Sequence, residues 1–236
     1  MKNGPVKSSL SPVRATAPLR GAALVKKVIT KIKADEAIEE PEPVPPKVLE
    51  RLKFPNGKPL SPGLRAFLAF DSSWVSWFSD PGEPVFEPLS VSELVEEELE
   101  GWGEHFKEVD AMLPDDCLLL PGGSDSRRFL YVGAADSFGE YPVFVVDTDD
   151  VPWIGLDTPG FDVWIAREFG LVPQPRAYGE VPAEYVPHMD AHAKLNFGGR
   201  KSHECVSVIT RDVGAEKGAT KDTPKAKKGQ GGRVGG

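Results

Sequence analysis

The chain has 236 residues, 40% of them hydrophobic, which suits one ordinary domain with tails or two small ones. Its net charge of -8 is unevenly placed: residues 1–47 hold 9 basic against 5 acidic residues, 48–172 hold 8 against 24, and 173–236 hold 11 against 7. An acidic middle excludes nucleic acid as the partner of the core, two distant cysteines exclude a disulfide framework, and no apolar run nears the ~18 residues that cross a bilayer.

In chain order, residues 1–47 read as a basic, Pro-containing leader or linker that is largely disordered. Residues 22–40 can form an amphipathic helix with Val25, Val28, Ile29 and Ile32 on one side, and Pro41 to Pro46 then make a stiff extended linker. Ala22 to Val25 is too short for a secretory signal, so the expected location is the cytoplasm. The folded unit is expected to begin near Val48.

Within residues 48–172, Ser61 and Pro62 supply an N-cap and a first-turn Pro for a helix from Gly63 to about Phe70. Ser72 to Phe78 is a short β-prone run holding Trp74 and Trp77, followed by a Pro/Gly loop. Ser90 and Glu93 form a capping box for a second helix with Leu94, Val95, Leu99, Trp102, Phe106 and Val109 at helical spacing. Gly101 and Gly103 predict a break in it. Strands are predicted at Cys117 to Leu120, Phe129 to Val132, Tyr141 to Val146 and Val151 to Leu156, separated by Gly/Asp/Ser turns. The last helix, Phe161 to Phe169, ends on Gly170. That order predicts an α+β fold, a mostly antiparallel sheet covered by helices, with flexible N- and C-terminal tails. Residues 173–213 are an uncertain extension, and 214–236 form a Lys/Gly tail with no means of burying a core.

Three segments, LSPGLRAFL (Leu60 to Leu68), LLLPGGSDSRRFLYV (Leu118 to Val132) and GEYPVFVVDTDDVPWIGLDTPGFDVWIAREFG (Gly139 to Gly170), carry a resemblance. They resemble the SMI1/KNR4, or SUKH, superfamily through Pro142-Val143, Asp147, and Phe161 with Trp164 and Ile165. The resemblance spans residues 48–172 and implies an α+β fold without catalytic residues. It also implies bacterial immunity proteins that neutralise toxins, often nucleases, or regulatory and scaffold modules. Asp71-Ser72-Ser73-Trp74 stands where many members carry an Asn-Gly-Gly type of element.

No residue set in the chain matches a catalytic pattern. Cys117 sits in an apolar strand as an inert thiol, and no serine lies in a nucleophile elbow. Gly122-Gly123-Ser124 lacks the Lys and helix of a phosphate loop. His188, His192, His203 and Cys205 offer H-x3-H and H-x-C spacings but no intervening glutamate, and read as surface residues of the extension rather than a metal site. The expectation is therefore a non-enzymatic domain without cofactor or metal, binding a basic protein partner such as a toxin domain. Asp136, Glu140, Asp147, Asp149 and Asp150 would supply an acidic rim and Trp153 an aromatic anchor. The rival expectations are a scaffold module tethered by the leader and, least favoured, a metal-dependent hydrolase.

Overall fold

A computed structural model of the chain describes residues 17–75, 77, 82, 86–122, 126–149 and 151–205. Five strands lie in simple sequential order, each antiparallel to the next: β1 (Cys117–Leu120), β2 (Ser126–Tyr131), β3 (Val143–Asp147), β4 (Trp153–Thr158) and β5 (Ser202–Glu204). Helices α1 (Gly21–Asp35), α2 (Pro46–Leu49), α3 (Pro62–Leu68) and α6 (Phe161–Glu168) pack on one face of the sheet. Helices α4 (Val91–Glu98), α5 (Gly103–Asp110) and α7 (Val186–Asn196) pack on the other. The fold is α+β.

Side chains alternate across a strand, so each strand feeds both layers. Leu118, Leu120, Leu130 and Val143 join the first core, while Cys117, Phe129, Phe144 and Val146 join the second. Covering both faces explains why Val143 to Val146 of β3 are all apolar rather than alternating with polar residues.

The sequence's punctuation is visible in the helix ends. Ser61 Oγ accepts the Leu64 N–H at 3.3 Å, with Pro62 opening α3. Ser90 and Glu93 make the reciprocal capping box of α4. The chain breaks between α4 and α5 at Gly101, whose φ of 86° lies in the region that favours glycine.

Several expectations are corrected. The segment before Val48 is not a leader without a core, because α1 buries Leu24, Val25, Val28 and Ile32 against α3 and α6. Amphipathicity formed the helix, and the apolar stripe found its partner within the same domain. Val44 in the Pro-rich stretch is buried too. Residues 173–205 also belong to the fold: α7 buries Met189, His192 and Ala193, and β5 completes the sheet. The β-prone run is instead a single 3-10 turn, Ser73–Val75, with Phe78 outside the described residues. Residues 1–16, the expected Lys/Gly tail, and Gly123 to Asp125 of the first hairpin turn also lie outside them. Among the described residues no helix is long and apolar enough to cross a membrane.

Candidate functional site

The residues expected to form one acidic rim fall into two groups. Asp136 and Glu140 belong to a buried polar cluster. The Arg20 guanidinium donates to Asp162 through Nε at 2.7 Å and to the Pro159 carbonyl at 3.0 Å. Its Nη2 lies 3.0 Å from Asp136 Oδ2, an ion pair without hydrogen-bond geometry, and His192 Nε2 stands 3.7 Å from the same oxygen. Asp162 Oδ2 also accepts the Gly21 N–H at the start of α1, at 2.6 Å. Glu140 Oε1 accepts the Gly63 N–H at the start of α3, at 2.6 Å. Helix N-termini present unpaired N–H groups, so these carboxyl oxygens complete the fold rather than an interface. The side chains of Arg20, Asp136, Asp162 and His192 are each at most 1% exposed.

Burial pushes the Asp136 carboxyl up, but His192, Arg20 and the backbone N–H groups of Glu140 and Phe138 outweigh it and hold the group below its usual value. Glu140 behaves oppositely. Burial, reinforced by the Asp162 charge, pushes its carboxyl from 4.5 up to about 8. The folded chain then keeps a proton that the unfolded chain releases, so this group's effect lowers stability as pH rises from 4.5 to about 8. Glu140→Gln keeps an acceptor for Gly63. It is expected to match the native chain near pH 4.5 and exceed it by on the order of 3 kcal/mol near pH 8. Urea denaturation at both pH values checks this, and a stability difference independent of pH contradicts it.

Asp147, Asp149 and Trp153 form the second group and do come together. They line an open groove of about 580 Å³ with Val151, Tyr178, His203 and Glu204. At the end of β3, Asp147 Oδ1 accepts the Asp149 N–H at 2.9 Å. Asp150, the remaining expected residue, lies outside the described residues. Trp153 is half-buried and tilts against Tyr178, ring centroids 5.3 Å apart. Tyr178 is held there by the next residue: Gly179 has φ 71°, and a Cβ on it would stand 2.7 Å from the Leu156 carbonyl oxygen. Only glycine lets this segment lie so close to β4. Val151 and Tyr178 are 51% and 43% exposed, so the groove presents apolar surface among carboxylates. Among the described residues no Lys or Arg lines it, although the Arg128 guanidinium lies over the Tyr178 ring, 5.8 Å from its centroid.

Sequence reasoning missed Tyr178 and Glu204, because both lie in the stretch read as an extension. It also missed Arg20 and Asp162, whose pairing is long-range and leaves no local pattern. The histidines divide as well. His188 packs edge-on to Phe138, whose ring also meets Arg20, His192 joins the buried cluster, and His203 pairs with Glu108. Among the described residues, Glu108, His203 and Cys205 make a group of metal-ligating type. Cys117 is fully buried, which raises its thiol pKa and keeps it unreactive.

No family model matches the sequence, and no curated protein is significantly similar to it. One similar solved structure is that of an uncharacterized protein from Salmonella enterica subsp. enterica serovar typhimurium str. 14028s. It is 14% identical, the match covers 81% of this chain and 98% of that one, and the TM-score is 0.49.

Proposed function

We propose that this chain is a non-enzymatic protein-binding domain whose groove takes a basic segment of another protein. One observation carries the reading: Asp147, Asp149 and Glu204 line a groove with the Trp153–Tyr178 pair, and among the described residues no Lys or Arg joins that lining, the Arg128 guanidinium lying over the Tyr178 ring at 5.8 Å from its centroid. An aromatic anchor ringed by one sign of charge suits a cationic partner, the charge guiding encounter and the ring supplying desolvated contact. The surplus of 24 acidic over 8 basic residues in 48–172 extends that field beyond the groove. With the SMI1/KNR4 resemblance, the finer reading is a cytoplasmic immunity protein that occludes a toxin, a nuclease in the leading case. The scaffold alternative loses its tether, since α1 and Val44 are part of the core.

The reading is tested by capture from cell lysate with the full chain and with Trp153→Ala, followed by calorimetry on the captured protein. A basic protein is expected, with Trp153→Ala weakening its binding by about 2 kcal/mol, roughly thirtyfold. Recovery of a partner whose affinity is untouched by Trp153→Ala would move the interface away from the groove.

A further inference from the structure

His203 and Cys205 are two residues apart along β5 and its continuation, so their side chains leave the same face of the strand. The Cys205 N–H donates to the Pro152 carbonyl at 2.7 Å, which extends the β4–β5 pairing to the cysteine. That face meets α5 at Glu108. Glu108 Oε1 stands 3.1 Å from His203 Nε2, and a carboxylate oxygen, an imidazole nitrogen and Cys205 Sγ all lie within 4.8 Å of one another. Oxygen, nitrogen and sulfur donors in one place are the set that takes zinc and its borderline neighbours, whereas calcium and magnesium take oxygen. Zinc bonds of about 2.0–2.3 Å at tetrahedral angles put ligand atoms roughly 3.3–3.7 Å apart. The Glu–His pair is close to that spacing, and the sulfur needs at most about an ångström of side-chain movement. Cys205 is buried, His203 half-buried and Glu108 exposed, so solvent reaches the cluster from the helix side.

We infer that Glu108, His203 and Cys205 bind one zinc-class divalent ion, with water in the fourth position. Binding forms a metal–sulfur bond, and the Cys205 thiol proton leaves to solvent; no electron is transferred. The ion clamps β5 to α5, and although His203 also lines the groove, the inference does not rest on the partner-binding reading. This reverses the sequence-based expectation for His203 and Cys205. The missing ligand is Glu108, supplied by a distant helix rather than by the local pattern.

Cobalt(II) titration of the full chain tests the site, followed by displacement with zinc. A thiolate-to-cobalt charge-transfer band saturating at one equivalent is expected, lost on adding zinc and absent in Cys205→Ser. His203→Gln and Glu108→Gln, at solvent-accessible positions, are expected to keep the native circular dichroism and bind cobalt at least about tenfold more weakly. Zinc at a hundredfold excess over its Kd should raise Tm by roughly 5 °C. No band in the native chain, a band surviving in Cys205→Ser, or unchanged affinity in both Gln variants overturns the site.

Discussion

A chain shortened to residues 48–236 is expected to lose cooperative unfolding altogether. The shortening removes Leu24, Val25, Val28 and Ile32 of α1, each at most 5% exposed. Burying an aliphatic side chain of this size contributes about 1.5–3 kcal/mol, so the four together represent about 6–12 kcal/mol. That equals the whole stability of an ordinary domain, about 5–15 kcal/mol. The loss also exposes apolar residues of α3 and α6 that α1 covers, and it takes away Arg20. The expected product is a collapsed or aggregating chain that binds a hydrophobic dye and melts without a sharp transition. A sharp urea transition with the slope of the full chain would show that α1 is dispensable.

Arg20→Leu is expected to cost about 3–5 kcal/mol, because it leaves Asp162 and Asp136 buried without their cation. The guanidinium is fully buried and joins the approach to α1, the 136–140 turn and the start of α6 in one cluster. Losing it strands charge in a low-dielectric site instead of merely deleting one contact. Asp162→Asn in the Arg20→Leu background removes one stranded charge and is expected to recover part of the loss. Urea midpoints of the single and double variants, at unchanged slope, measure both effects. A single variant within about 1 kcal/mol of the native chain contradicts this role.

These two results mark where sequence reasoning stops. Features governed by neighbouring residues were legible: the Ser61-Pro62 cap, the Ser90–Glu93 box, the break at Gly101, and the meander from β1 to β4. The amphipathic face of α1 was legible too, but its partner was not, because a stripe does not say whether it meets its own domain or another molecule. α7 carries few large apolar residues and buries a histidine, and β5 is three residues long, so neither leaves a clear period. The candidate site divides along the same line. Asp147, Asp149 and Trp153 surround one turn and were found together. Asp136 and Glu140 look like solvated turn residues until Arg20 and the first turns of α1 and α3 are brought beside them.

Salt dependence of partner binding tests the acidic groove most directly. For the native chain and its captured partner, the association rate is expected to fall about tenfold or more as salt rises from low to several times physiological strength. Asp149→Lys with Glu204→Lys should remove that dependence along with most of the affinity. A rate indifferent to salt, or binding that survives the double charge reversal, would contradict recognition of a cationic partner through this groove.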